Sequence, residues 1–238
     1  GNGVRAAAPP LLMGVIRDLP ADCQRIIIVG AGGFGREVLH WATDAWPEHR
    51  GKIAGFLSND PGVLENKNCP LSIIGSPEDF EPLPGDYLVL AIGIPGARRT
   101  VTEGLLARGC RFLTLIHPTA VIAPTAVIEE GAVICPYAIA SDAVRVSRFA
   151  LLNYHASLGH DAAVGDFTVL SPYATLGGYA EAAEDVFLGI HSAVGPRSRI
   201  GARSKVSATS SLLVQAPSDS IVFGSPGRVL PRLSISST

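Results

Sequence analysis

Residues 116–134 read IHPTAVIAPTAVIEEGAVI, and every sixth residue in them, Ile116, Ile122, Ile128 and Ile134, is isoleucine. The step of six continues to Leu212: fifteen of seventeen positions are Ile, Leu or Val, and the other two are Ala140 and Ala182. Chance would place about four such residues there, and an unbroken period marks a repeat architecture. Two residues before each aliphatic, from Ala120 to Ser210, fourteen of sixteen positions are Ala, Ser or Thr, with Val144 and Val186 as exceptions. Small residues there let the chain turn a tight corner. A helix repeats near 3.6 residues and hairpins recur about every 8–12, so neither accounts for six; short parallel strands joined by corners do. Three hexads close a triangular coil of about 18 residues, which stacks on the next at about 4.8 Å and buries the aliphatic column. About five coils fit within residues 116–213.

The preceding hundred residues have a different grammar. RIIIV at 25–29 leads into Gly30-Ala31-Gly32-Gly33-Phe34-Gly35 and then a helix-like stretch, 36–45. Further strands are predicted at 52–57, 87–92 and 111–115, with helical stretches near 77–80 and 96–108. Alternating strands and helices predict a small parallel sheet. The expected organisation is a leader over 1–24, a Rossmann-like α/β domain over 25–115, the β-helix over 116–213, and a C-terminal loop and tail over 214–238. Gly30, Gly32 and Gly35 match GxGxxG, whose missing side chains let helix N-terminal amides approach a phosphate. Three readings are open there: a mononucleotide or nucleotide-sugar, NAD, or a structural turn. The acid that a dinucleotide fold places after its second strand is replaced by Ser58 and Asn59.

The formal net charge of -2 and the lack of a Lys/Arg run argue against nucleic-acid or anionic-membrane partners. No apolar run reaches the roughly 18 residues of a membrane span. The four cysteines, Cys23, Cys69, Cys110 and Cys135, show neither CxxC nor Cys/His spacing, which disfavours a disulfide framework and points to a reducing cytoplasm.

Adding multiples of 18 aligns side chains on successive coils. Tyr137, His155, Tyr173 and His191 fall in one column, which predicts a stacked aromatic ladder on an outer face. His160 is aligned with Gly178, so an imidazole would face a backbone amide free of side chain, with Asp161 beside it to orient the ring. A catalytic base and a surface histidine are both open readings of His160.

GAGGFGREV at 30–38, GFLSND at 55–60, AIGIPGARR at 91–99, IHPTA at 116–120, LGHDAAVG at 158–165, FLGIHS at 187–192 and GSPGR at 224–228 occur in this order. Together they resemble the NeuD/PglD-type sugar acyltransferases, over roughly residues 25–230. The resemblance implies a left-handed β-helix that forms a homotrimer and binds acetyl-CoA as co-substrate between subunits, a Rossmann-like domain for the sugar or nucleotide-sugar acceptor, no metal, and a role in polysaccharide biosynthesis. It implies His160 as general base, Asp161 as the acidic neighbour that raises its basicity, and Gly178 as the amide facing the acyl carbonyl. Cofactor contacts fall on Val169, Ile190, Ala208 and Arg228, and acceptor contacts on Gly32, Gly33, Phe34, Ser58, Asn59 and Gly93. The chain departs from the family where many members carry Asp-Asp in place of Ser58-Asn59, and where some carry histidine in place of Val169. The expected activity is transfer of an acetyl group from acetyl-CoA to a sugar amine or hydroxyl. Two rivals are a zinc lyase of the γ-carbonic-anhydrase kind, suggested by His155-x4-His160, and a non-enzymatic nucleotide-sugar scaffold. The lyase's third histidine would correspond to Thr119.

Overall fold

The computed structural model describes residues 18–232, so most of the expected leader lies outside the described residues. Of residues 18–24, Cys23 is fully buried, its carbonyl accepts from Lys52 Nζ at 2.7 Å, and Asp22 pairs with Arg111 at 2.7 Å. Four parallel strands follow: β1 (Arg25–Val29), β2 (Ile53–Leu57), β3 (Ile73–Gly75) and β4 (Asp86–Leu90), in the order β3-β2-β1-β4. The apolar run of β1 is what a central parallel strand requires, since both its faces are covered. Helix α1 (Gly33–Ala45) follows β1 and buries Val38, Leu39 and Ala42; α2 (Pro95–Ala107) follows β4 and buries Arg98, Thr102 and Leu105.

Two predicted elements differ. Residues 77–79 form a turn instead of a helix: Ser76 Oγ accepts the Asp79 N–H as a helix N-cap does, but Pro82 and Pro84 follow and keep the turn from extending. The strand predicted at 111–115 splits. Phe112 makes only a bridge beside Leu88, while the Leu115 N–H already bonds to the Ala132 carbonyl on the next coil.

From there eighteen two-residue strands, β5 (Leu115–Ile116) to β22 (Gln215–Ala216), form three parallel sheets. Three strands make one coil, so there are six coils where about five were expected. The sixth escapes the period because β22 comes four residues after β21 (Ser211–Leu212), so its inward residue is Ala216. The three-sided parallel β-helix is consistent with the left-handed form. Its core is the predicted aliphatic column with the small corner residues packed between. At thirteen successive corners, from Tyr137 to Thr209, a non-glycine residue has φ between +54° and +62°. That conformation costs about 1 kcal/mol each. Compensation comes from an N–H bond to the previous coil, as from Tyr179 to the His160 carbonyl at 3.0 Å. The stack ends in β23 (Ser220–Phe223), parallel to the coils, and β24 (Arg228–Pro231), which runs antiparallel to it.

The three outer faces differ, and the difference positions everything that follows. The first face presents Val133, Leu151, Val169 and Phe187 to the N-terminal sheet, where they join a cluster with Ile28, Val38 and Leu39. The second face is uncharged, with Val121 and Ile139 exposed and Ser157, Thr175, Ala193 and Ser211 half-buried. The third carries the pairs Glu129–Arg145 at 2.6 Å and Glu181–Arg199 at 2.9 Å. Helix α2 docks on the corner between the third and first faces. The fully buried Arg98 donates from Nε to the Phe149 carbonyl at 2.6 Å and from Nη1 to that of Ile92 at 2.8 Å. Burial lowers its pKa to about 9, so it remains charged at neutral pH. Arg99 grips Asp185 at 2.8 Å and lies 4.3 Å from the Phe167 ring centre.

Candidate active site

The corner between the second and third faces carries His160. Asp161 Oδ2 lies 2.9 Å from His160 Nδ1. An ionised carboxylate only accepts, so Nδ1 donates to it, and in the neutral tautomer Nε2 is the nitrogen that carries the lone pair. The ring packs against Gly178, where a Cβ would stand 2.7 Å from Nε2 and 2.8 Å from Cε1. The Gly178 N–H makes no hydrogen bond among the described residues, whereas its carbonyl accepts from Arg197 N at 2.9 Å. A ring nitrogen able to take a proton and a free amide able to meet a developing oxyanion therefore sit one coil apart. The Tyr179 ring meets the imidazole edge-on, centroids 5.2 Å apart. His160 is 60% exposed, open to a substrate.

The aromatic ladder forms as the 18-residue spacing predicts, on the corner between the first and second faces. Centroid separations are 5.0 Å for Tyr137–His155, 4.7 Å for His155–Tyr173 and 4.6 Å for Tyr173–His191, with ring planes within 15° of parallel. His155 and His160 thus stand on different corners, and no group of three His, Cys, Asp or Glu among the described residues could hold a metal ion. Ile190 and Ala208 come together at the ladder corner on successive coils, the carbonyl of Ile190 accepting from Thr209 N at 2.9 Å. Val169 is 2% exposed beneath the N-terminal sheet, and Arg228 is exposed in the terminal hairpin. The structure therefore does not gather the positions assigned to acetyl-CoA, Val169, Gly178, Ile190, Ala208 and Arg228, in one place on a single chain. A shallow groove of about 320 Å³ on the third face, lined by Gly165, Glu181, Arg199 and Gly201, touches none of them.

The acceptor positions do converge. Gly32 and Gly33 open α1, Ser58 and Asn59 follow β2, and Gly93 follows β4, all beyond the carboxyl ends of parallel strands. The sheet order reverses between β1 and β4, where open α/β sheets bind ligands. The glycines divide by physical need. A Cβ on Gly30 would lie 2.6 Å from the Ala91 carbonyl oxygen, and one on Gly35 2.1 Å from that of Gly30, so both are required by packing. Gly32 and Gly93 have nothing within 4 Å of that position. Phe34 is partly buried against Trp41, ring centroids 5.8 Å apart, Asn59 Nδ2 donates to Glu78 Oε1 at 2.9 Å, and Ser58 Oγ donates to the Asp60 carbonyl at 3.1 Å.

Sequence reasoning missed Tyr179 and Arg197 beside the base, although one and two steps of 18 from Asp161 reach them. It also missed the docking role of Arg98 and Arg99, which no periodicity signals.

Residues 25–105 match the family model of the PglD N-terminal domain. No curated protein sequence matches the chain. Among solved structures, PerB from Caulobacter crescentus, in complex with CoA and GDP-perosamine, is 24% identical with a TM-score of 0.74, over 87% of this chain and 97% of that one. WeeI from Acinetobacter baumannii AYE is 23% identical with a TM-score of 0.76, over 87% and 99%. The acetyltransferase domain of PglB from Neisseria gonorrhoeae FA1090 is 24% identical with a TM-score of 0.66, over 87% and 100%. The resemblance thus holds in sequence over residues 25–105, which match the PglD N-terminal domain, and in fold over 87% of the chain.

Proposed function

We propose that the chain transfers an acetyl group from acetyl-CoA to an amine or hydroxyl of a nucleotide-linked sugar, in the cytoplasm and as a homotrimer. The observation that carries the reading is His160, oriented through Nδ1 by Asp161 and packed with Nε2 against the side-chain-free Gly178. In this reading His160 takes the acceptor proton, the nitrogen or oxygen so freed attacks the thioester carbonyl, and the Gly178 N–H stabilises the oxyanion until the CoA thiolate leaves. Ile190, Ala208 and Arg228 bind CoA; Gly32, Gly33, Phe34, Ser58, Asn59 and Gly93 bind the acceptor. PerB supports the pairing of co-substrates, since its structure holds CoA and GDP-perosamine.

The corner that carries His160 is opposite the first face, which the N-terminal sheet covers. Base and acceptor crevice of one chain therefore lie on opposite sides of the coil, and a complete site needs a second copy. The uncharged second face between the His160 corner and the Ile190 corner is the surface that would meet it. Release of CoA thiol from acetyl-CoA, screened over nucleotide-linked amino sugars and sialic acid, tests the activity. His160→Ala should lower kcat by about 10²–10⁴-fold with little change in melting temperature. Mixed oligomers of His160→Ala with Gly32→Trp should recover activity, since some interfaces then pair an intact base with an intact crevice. Failure of mixing to rescue two inactive variants would sink the shared site.

A further inference from the structure

Five arginines sit on the coils between Arg145 and Arg203, and four of them are neutralised. Arg145 pairs with Glu129, Arg148 with Glu130, Arg199 with Glu181 and Arg203 with Asp219, each within 2.9 Å. Arg197 has no carboxylate partner among the described residues. Its guanidinium lies over the Tyr179 ring, 4.5 Å from the centroid. The same ring meets His160 edge-on at 5.2 Å. Asp161, Tyr179 and Arg197 stand in one column, each with φ near +60° and a coil apart. An uncompensated cation is thus fastened to the corner of the candidate base, its charge centre within about 10 Å of the imidazole. The stacking leaves the guanidinium edge, with its N–H fork, free to meet an anion.

Both substrates of the proposed reaction carry a diphosphate, and reach decides between them. In acetyl-CoA the whole pantetheine arm separates the thioester from the diphosphate, a span longer than the gap between His160 and Arg197. In a nucleotide-activated sugar a single hexose ring separates the attacking group from the diphosphate, and that matches the gap. We infer that Arg197, held on Tyr179, binds the diphosphate of the nucleotide-linked acceptor and so selects sugars carried on a nucleotide over free sugars. This rests on the acyl-transfer reading and adds to it a contact made by the β-helix, outside the Gly32–Gly93 crevice.

The test is steady-state kinetics of the full chain with GDP-, UDP- and dTDP-linked amino sugars, the corresponding free amino sugars, and acetyl-CoA. Arg197→Gln should raise KM for the nucleotide-linked acceptor about 10- to 100-fold and leave KM for acetyl-CoA and for the free sugar unchanged. Arg197→Lys, a point charge without the fork, should recover part of the loss. An unchanged acceptor KM in Arg197→Gln overturns the inference while leaving acyl transfer standing, as does a rise in KM for acetyl-CoA alone. A wild-type chain that releases no CoA with any of these acceptors overturns acyl transfer and the inference together.

Discussion

At Gly178 the nearest obstacle to a side chain is the imidazole of His160. A methyl group there would first meet the imidazole ring, a side chain that is 60% exposed and can swing aside. Gly178→Ala keeps the N–H but displaces the imidazole of His160, the proposed base, from it. We expect kcat to fall by about 10²–10³-fold, with stability within about 0.5 kcal/mol of wild type by thermal unfolding; a normal kcat would disconnect the two groups. This pair was legible in the sequence because a solenoid turns spacing into proximity: residues 18 apart are neighbours whatever their side chains. The ladder was legible for the same reason. The tautomer of His160 was not, since it depends on which ring nitrogen Asp161 meets. Nor was the burial of Val169, because the period says which way a residue points and nothing about what covers it.

Strand and turn chemistry govern the N-terminal elements. Asp86, at the start of β4, is almost fully buried; burial would raise its pKa, but the Arg25 guanidinium at 2.6 Å and the Leu83 N–H outweigh that and hold it below the usual carboxylate value. A carboxylate depressed in the folded state stabilises fully above its unfolded pKa, near 3.9, and loses that contribution as pH falls through its folded value. Asp86→Asn should therefore cost about 2 kcal/mol at pH 7, a figure moderated by the 39% exposure of Arg25. The difference from wild type should shrink below about pH 4, which denaturant titrations at several pH values would show. The glycine turn offers a sharper contrast. Gly35→Ala forces a methyl group into the Gly30 carbonyl and should unfold the α/β part or cost several kcal/mol. Gly32→Ala meets nothing; it should melt normally and raise KM for the acceptor alone. Equal stability losses in the two would mean that the turn is purely structural. The sequence marks both as glycine, and only the packing separates them. The short β3 was invisible, since three residues carry too little periodicity to stand out from the polar loop before it.

For the molecule as a whole, the repeat was enough to find the β-helix, and the alternation of strands and helices enough to find the sheet. How the two dock was not legible, because docking depends on Arg98 reaching backbone carbonyls of both parts, and a carbonyl leaves no trace in a sequence. The sixth coil was hidden because its last side drops two residues. The far end of the stack has a wider consequence. A parallel β-helix offers at its last coil a bare row of amides and carbonyls ready to template another strand. Here, on the first face, β24 occupies that row in the reverse direction, and it carries the exposed Arg228 and Pro231, whose ring has no N–H to give. A seventh coil from another molecule would meet the wrong polarity, a positive charge and a missing donor. On this face of the coil the reversed strand thus opposes the end-to-end addition of another molecule, the step by which filaments grow.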